Sequence, residues 1–175
     1  MCFHYSIKKS KKQIENHFNA QFEESTLFEP TQHANAFTHP LMPIITNDKP
    51  DTIQLFKWGL IPNWVKEKER AKEISNMTLN ARVETVKEKP SFKEAIKSQR
   101  CLVISDGFYE WNHLNHGTGR KQPFHFHLPD RSLFCFAGLW ERWQRPPAKQ
   151  TELFAETFKA PPPLLETFTI LTTLP

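Results

Sequence analysis

The second half of the chain is a succession of short strand-forming segments with almost no helix between them. Cys101–Ile104 is a continuous apolar run, and a turn at Asp106-Gly107 separates it from Phe108–Trp111. Further strand patterns are Phe124–Leu128, Leu133–Leu139 and Thr167–Thr172. Strand and helix do not alternate regularly, as they would around a parallel sheet. We therefore predict an α+β fold, a curled, mainly antiparallel β-sheet or barrel with a few peripheral helices.

The first half carries the helix signals. Ser10, with Gln13 three residues later, has the form of a capping box, which predicts a short helix from Ser10. Asn63 is expected to cap a charged helix from Val65 to about Ile74, because Asn is a favoured N-cap residue. Ser91 is expected to cap a third helix.

Two other segments of the first half are not helical in pattern. Thr52–Trp58 alternates and predicts a strand. Phe28–Ile45 contains three prolines among apolar residues, which favours an ordered loop.

The length of 175 residues suits a single domain over residues 1–175, and no apolar run approaches the roughly 18 residues of a membrane span. Arg142–Leu165 contains five prolines between two strands and is expected to be a long exposed excursion. The chain stops at Pro175, directly after an apolar strand. Either the domain ends there or the sequence is truncated at its C-terminus.

Composition bounds the function only loosely. Three widely spaced cysteines argue against a disulfide scaffold and a zinc site, and they suit the reducing cytoplasm. His125 and His127 alternate along one strand, but no third ligand accompanies them at metal spacing. We therefore expect no metal and no cofactor. The net charge of +4 leans weakly towards an anionic partner.

Cys2 is set apart by its position. Methionine aminopeptidases remove Met1 when the second residue is small, which leaves a thiol and an α-amine on adjacent carbons. That amine has a pKa of about 7.7–8.0, so part of it is neutral and nucleophilic at cellular pH. With an aldehyde it forms an imine, which the thiol closes to a five-membered thiazolidine ring. The plain alternative is a cysteine that is merely buried.

Three polar residues alternate in the extended segment Leu79–Thr85. Asn80, Arg82 and Glu84 therefore point to one face, and the apolar residues between them point to the other. The planar guanidinium of Arg82 suits a phosphate. The same pattern also fits the polar outside of an edge strand.

Glu110 lies among three aromatic residues, Phe108, Tyr109 and Trp111. Partial desolvation would raise the pKa of its carboxyl towards the range of a general acid or base. Alternatively, Glu110 occupies the solvent face of a strand whose aromatic residues point inwards.

Two tryptophans, Trp58 and Trp64, flank a turn that contains Gly59 and Pro62. Exposed tryptophans could stack on bases of a single strand. A place in the core for at least one of them is the competing interpretation.

These motifs occur in a fixed order along essentially the whole chain. They are Met1-Cys2, Trp58–Pro62 with Trp64, Asn80-Ala81-Arg82 with Glu84-Thr85, Pro90-Ser91-Phe92, Arg100–Val103, Gly107–Trp111, Lys121–Phe124, Phe136–Glu141 and Thr167–Thr173. Together they closely resemble the SOS-response-associated peptidase (SRAP) family of abasic-site processing proteins.

The resemblance implies a covalent sensor and shield of abasic sites in single-stranded DNA. Cys2, freed of Met1 by autocatalysis, would form the thiazolidine with the ring-opened sugar. Asn80 would position the α-amine, and Glu110 would move protons in sugar opening, imine formation and Met1 removal. DNA contacts would come from Arg82, Trp58, Trp64 and Pro40. The resemblance also implies peptidase (self-processing) and lyase-like activity. We expect a monomer and a cytoplasmic protein, associated with the nucleoid if it is bacterial.

The chain departs from the family pattern at four places. Phe3 and His4 follow Cys2 where much of the family has Gly and Arg, which removes any phosphate contact from that Arg. Val83 replaces a commoner Ser, and the proline-rich excursion is longer than expected. The family's active-site His lies beyond the Thr-Ile-Leu-Thr-Thr strand, where this chain has ended, so no His is assigned that role.

Two other functions fit the same residues. A non-covalent single-stranded nucleic-acid binder would bind intact and abasic strands equally, with a strong salt dependence. An N-terminal-nucleophile hydrolase would use Cys2 against an amide and form no DNA adduct.

Overall fold

The computed structural model of the chain describes residues 2–23, 27–113, 121–146 and 164–174. Within them it has three α-helices, a 3₁₀ turn and eleven strands. The helices are α1 (Lys11–Phe18), α2 (Lys68–Met77) and α3 (Ala95–Ser98), and the 3₁₀ turn spans Ala36–Thr38. The strands are β1 (His4–Ile7), β2 (Gln21–Phe22), β3 (Thr31–Asn35), β4 (Leu41–Thr46), β5 (Thr52–Trp58), β6 (Asn80–Arg82), β7 (Arg100–Ser105), β8 (Gly107–His113), β9 (Lys121–Phe126), β10 (Phe134–Gln144) and β11 (Leu164–Thr172).

A five-stranded barrel is the centre of the fold. Strands β5, β4, β7, β10 and β11 are neighbours in that order, and β11 closes the ring by pairing in parallel with β5. The other pairs in the ring are antiparallel. Outside the ring, β2 pairs in parallel with β5, and β6 pairs in parallel with β11. The α+β prediction of a curled, mainly antiparallel sheet or barrel with few helices is confirmed.

A smaller four-stranded sheet, in the order β3, β1, β8, β9, packs against the barrel. The contact is aromatic: the Tyr5 ring lies 5.1 Å from Trp58 and 5.8 Å from Phe136 between centroids. Phe108, the β8 partner of Tyr5, also contacts Phe136. One face of this sheet therefore belongs to the protein core, which also includes Cys2.

The strands of the second half were largely evident from sequence, and so were β5 and the Ser10 capping box of α1. Three predictions were wrong. Phe28–Ile45 is not a loop, since it contains β3 and β4. Asn63 does not cap α2, which begins at Lys68 after Glu67. Ser91 does not cap α3 either, because turns precede that helix and its N-cap is Glu94.

Both ends of the predicted excursion Arg142–Leu165 belong to strands in the structure, so the excursion is shorter than predicted. β10 continues through Gln144 and β11 begins at Leu164, and these end segments pair with each other. The tryptophan just before the prolines, Trp143, is buried and donates from Nε1 to the Val65 carbonyl at 2.6 Å. Pro146 is the last residue described before a gap, and residues 147–163, with the other four prolines, lie outside the described residues.

Candidate functional site

Cys2 lies at the edge of the core, directly before β1. Its side chain is 7% exposed, and its thiol is 3.7 Å from the carbonyl oxygen of His4. Burial, together with the smaller effect of the Glu110 negative charge, raises the pKa of the Cys2 thiol to about 12, against the lowering effect of the hydrogen bond to His4. The structure thus brings Cys2 and Glu110 within electrostatic reach of each other.

Glu110 reaches Cys2 because of its place on β8. Tyr5 pairs with Phe108 across the β1–β8 ladder, so Glu110 lies two residues further along β8 and on the same face as Phe108. It is partly buried, and Phe124 of β9 lies opposite it. Glu110 therefore lies on the same face of the small sheet as Tyr5 and Phe108, at a margin where Phe124 is still 45% exposed.

Asn80 approaches the same core from the barrel. It pairs with Ile170 in the parallel β6–β11 ladder, and residues paired in this way share a face. Ile170 is completely buried in the cluster that contains Cys2. Both side-chain amide atoms of Asn80 are shielded from solvent and have no hydrogen-bond partner among the described residues. A buried amide in that state is available to a bound group.

Glu84 does not continue the line of Asn80 and Arg82, which lie two residues apart on β6. β6 ends at Arg82, and the chain then turns, so Val83 is 52% exposed rather than on the apolar face. Glu84 accepts hydrogen bonds from the Thr173 hydroxyl and the Leu174 amide, both at 2.9 Å. These bonds hold the pKa of its carboxyl below the usual range. Arg82 is exposed at the end of β6, where a phosphate could reach it.

The two tryptophans differ in their exposure to solvent. Trp58 is completely buried, stacks on Phe168 and donates from Nε1 to the Leu79 carbonyl at 2.8 Å. A direct DNA contact from Trp58 is therefore wrong for this conformation, because no face of its ring reaches solvent. Trp64 is 46% exposed. Its Nε1 donates to the Pro90 carbonyl at 3.4 Å, which leaves the ring at the surface.

Pro40 is half-buried and joins β4 to the core by accepting a hydrogen bond from the Trp58 amide. It lines a depression of about 320 Å³ together with Phe28, Asn35 and Leu41, among others. This depression lies along β3 and β4 and does not have Cys2, Asn80 or Glu110 among its lining residues. Its lining includes no cysteine and no amine that could react with a sugar aldehyde.

The outer face of the small sheet carries residues that the sequence interpretation did not join. His4 and His33 stack with ring centroids 4.8 Å apart, and His33 Nε2 lies 2.9 Å from His4 Nδ1. His4 also meets Trp111 edge-on at 4.7 Å. The alternation of His4 and Ser6 against Tyr5 and Ile7 was the signal, because it marks β1 as a strand with one polar face.

The same outer face contains a hydrogen-bonded chain of three side chains. The Ser6 hydroxyl donates to Asp106 Oδ1 at 2.6 Å and lies 3.0 Å from His125 Nε2. Because the one hydroxyl hydrogen goes to the carboxylate, His125 is the donor to Ser6. The chain ties β1 and β9 to the turn before β8. Here the central group is a serine, so it is not the arrangement of a nucleophilic triad.

Within the described residues, no group of three or more His, Cys, Asp or Glu side chains is placed to hold a metal ion. The described helices likewise include none that is long and apolar enough to cross a membrane.

The profile of the SOS response associated peptidase (SRAP) family matches residues 1–175. The abasic site processing protein YoqW of Bacillus subtilis is 35% identical over 147 residues, which are 83% of this chain and 62% of YoqW. The rat abasic site processing protein HMCES is 45% identical over 101 residues, which are 50% of this chain and 28% of HMCES.

A crystal structure of a protein from Bacteroides thetaiotaomicron superposes with a TM-score of 0.80 and 39% identity, covering 98% of this chain and 68% of that one. The chain spans about three fifths of the length of the Bacillus subtilis relatives, 62% of YoqW and 60% of YoaM.

Proposed function

Because the chain belongs to the SOS response associated peptidase (SRAP) family, we propose that Cys2, once Met1 is removed, captures abasic sites in single-stranded DNA as a covalent thiazolidine. The observation that carries the proposal is that Glu110 lies near enough to Cys2, at the edge of the core, for its charge to act on the thiol. The names of the matched relatives, which are abasic site processing proteins, also support the proposal.

The chemistry balances without an oxidant or a metal. The Cys2 amine attacks the C1 aldehyde of the ring-opened sugar, and loss of water gives an imine. The thiol then adds across the C=N bond, so that sulfur bonds to carbon and its hydrogen goes to nitrogen. One water molecule is the only by-product.

The thiol pKa of about 12 bears on the order of these steps. At neutral pH such a thiol is almost wholly protonated, whereas an α-amine with a pKa of about 7.7–8.0 is partly neutral. The amine is therefore the first nucleophile, and the thiol reacts second, on the imine. The same argument weighs against a hydrolase in which a Cys2 thiolate attacks an amide.

Glu110 and Asn80 take supporting roles in this proposal. Glu110 is the carboxylate near Cys2 and shuttles protons during sugar opening and loss of water. Asn80 offers a buried carbonyl oxygen and amide to orient the Cys2 amine. The removal of Met1 uses the same groups, since it exposes the amine at the same place.

The DNA strand is gripped by exposed residues around this site. Arg82 contacts a phosphate, and Trp64 offers a ring on which a base stacks. Pro40, which directly precedes β4 and is half-buried, borders the DNA strand. Trp58 supports this surface from the core.

The test is covalent capture of a single-stranded oligonucleotide with one abasic site, read on a denaturing gel and by intact mass. Cys2→Ala should abolish the adduct, and Cys2→Ser should leave at most a weaker imine that borohydride traps. Cys135→Ala is the matched control, because burial raises the pKa of that thiol to about 12 as well. It should keep full capture.

The alternatives give different results in the same assay. If Cys2→Ala still forms a denaturant-stable adduct without reductant, another amine is the nucleophile and the proposal fails. Equal binding of intact and abasic strands with no adduct would indicate a non-covalent binder. Intact mass also reports on Met1: a protein that retains it cannot react, because its Cys2 nitrogen is an amide.

A further inference from the structure

We propose that the outer face of the four-stranded sheet is a second contact surface for single-stranded DNA, on which successive bases stack against a row of aromatic and imidazole rings. This surface goes beyond the proposed function, since it needs no abasic site and none of the reacting groups. It consists of what we call the ring row: His4, His33, Tyr109, Trp111, His125 and His127.

Strand pairing places the ring row on one face. β1 and β8 are in register at Tyr5 and Phe108, which point to the core, so their neighbours His4 and Tyr109 point outwards. Tyr109 in turn pairs with His125 of β9. Trp111 lies two residues along β8 from Tyr109 and therefore shares this face.

The rings touch in sequence across the sheet. Centroid distances are 4.7 Å from Trp111 to His4, 4.8 Å from His4 to His33 and 5.4 Å from His33 to Tyr109. The row continues with 4.6 Å from Tyr109 to His125 and 5.6 Å from His125 to His127. Six rings thus form one continuous surface that crosses β3, β1, β8 and β9.

Hydrogen bonds fix the orientation of most of these rings. The Tyr109 hydroxyl donates to the Gln32 carbonyl at 2.9 Å, and His127 Nδ1 bonds the Leu128 carbonyl at 2.8 Å. His125 is held by Ser6, and His4 and His33 hold each other. Partly exposed side chains that are already ordered lose little entropy when a ligand binds, which is the condition for a stacking platform.

The charges around the ring row suit a polyanion. Lys8 and Arg131 lie close enough to His125 that their positive charges lower its pKa. Lys121 also points outwards from β9, because it lies four residues from His125 on the same strand and therefore on the same face. Asp106, the carboxylate nearest to His125, is buried and engaged by Ser6 and the Lys8 amide. At the other end, the Glu110 carboxylate lies near enough to His4 to oppose the lowering of its pKa, although it lies on the opposite face of β8 from Tyr109 and Trp111.

Single-stranded DNA fits this combination better than a protein does. Its unpaired bases present flat faces to rings and polar edges to imidazole nitrogens, and its phosphates face the flanking cations. A protein partner would favour an apolar surface, and four of the six rings here are imidazoles. Duplex DNA offers no free base faces.

The experiment measures fluorescence anisotropy of an undamaged, labelled single strand of about 15 nucleotides, near the upper site size of comparable surfaces. Tyr109→Ala and His33→Ala should each weaken Kd about 5- to 10-fold, the low end for loss of one stacked base. Tyr109→Phe keeps the ring and should bind as the parent does. His17→Ala, an exposed histidine on α1, is the matched control and should also bind normally.

Three results would overturn the inference. The first is a Kd for Tyr109→Ala or His33→Ala no weaker than that of His17→Ala, with circular dichroism showing intact folds. The second is equal weakening by Tyr109→Phe, which would make the Gln32 bond a purely structural contact. The third is tighter binding of a duplex than of a single strand. Since the strand is undamaged, none of these results depends on whether Cys2 forms an adduct.

Discussion

The two faces of the four-stranded sheet differ in their chemistry. The inner face contributes Tyr5 and Phe108 to the core and brings Glu110 to Cys2, where burial keeps the thiol protonated. The outer face carries the ring row, whose side chains are partly or fully exposed to solvent. β8 serves both faces, because its side chains alternate: Glu110 points inwards and Tyr109 and Trp111 point outwards.

The inner face is therefore suited to the covalent chemistry, and the outer face is suited to binding the DNA strand. A group that transfers protons must be desolvated and close to the reacting atoms, whereas a group that stacks on a base must be accessible. One strand satisfies both requirements with adjacent residues. Substitutions one position apart should therefore change different measured quantities.

The largest effect is expected for Glu110→Gln. Loss of general acid–base assistance should slow capture of abasic DNA about 10²- to 10⁴-fold at saturating DNA. Affinity for an undamaged strand should stay close to that of the parent. Single-turnover gel kinetics measure the rate, and anisotropy measures the affinity.

Arg82→Ala is the opposite control for that experiment. It should weaken binding of intact and abasic strands alike and reduce the salt slope by about one, while the rate at saturation is kept. If Glu110→Gln loses affinity and keeps its rate, Glu110 is an anchor of β8 and the division between the two faces is wrong.

Gly107→Ala should have the next largest effect, on stability. A methyl group there would overlap the His125 ring and come within 2.9 Å of the Phe126 carbonyl oxygen. Overpacking of this kind costs about 1–3 kcal/mol, which thermal unfolding would show as a lower Tm. The substitution should also weaken binding of undamaged DNA, since it displaces a ring of the ring row.

His125→Ala in the Gly107→Ala background provides the matched test. Removing the ring removes most of the overlap, so the double variant should recover part of the lost stability relative to the sum of the single effects. Strict additivity would show that the clash with the Phe126 backbone dominates and that His125 is not closely packed on Gly107.

Sequence patterns predicted the strands of the second half of the chain better than those of the first half. β7, β8 and β10 are apolar or alternating runs with turn residues between them, so their period is visible locally. β3 and β4 were missed because prolines suggested a loop. Pro43 is accommodated within β4, which pairs with the adjacent β5 on one side and with β7, distant in sequence, on the other.

The candidate site was foreseen unevenly for a similar reason. Position alone singled out Cys2, and the aromatic flanks singled out Glu110. Trp58 and Trp64 have the same residue type and nearly the same sequence surroundings, yet one is buried and the other exposed. Closure of β5 on β11, which packs Trp58 on Phe168, makes that difference. Such a long-range pairing leaves no local signal.

The smallest predicted effect is a loss of stability at acid pH through His125. Burial lowers the pKa of its imidazole below the ordinary value of about 6.5, and the positive charges of Lys8, His127 and Arg131 lower it further. Asp106 opposes this shift. The neutral ring is therefore the form that the folded protein favours, with its Nε2–H donated to Ser6.

The sign of the pH dependence follows from proton uptake. As pH falls below about 6.5, the unfolded chain binds a proton at His125 before the folded chain does, so stability is lost between the unfolded and the folded pKa. Above that range the contribution is constant. Tm measured between about pH 7.5 and pH 5 should therefore fall less steeply in His125→Gln, whose amide can still donate to Ser6 but does not titrate.

His4, whose pKa is lowered by burial and by His33, should add to the same slope, and His4→Gln should reduce it further. An unchanged slope in the double variant would show that protonation of the outer face is not coupled to folding, and that its rings are held less firmly than their hydrogen bonds imply.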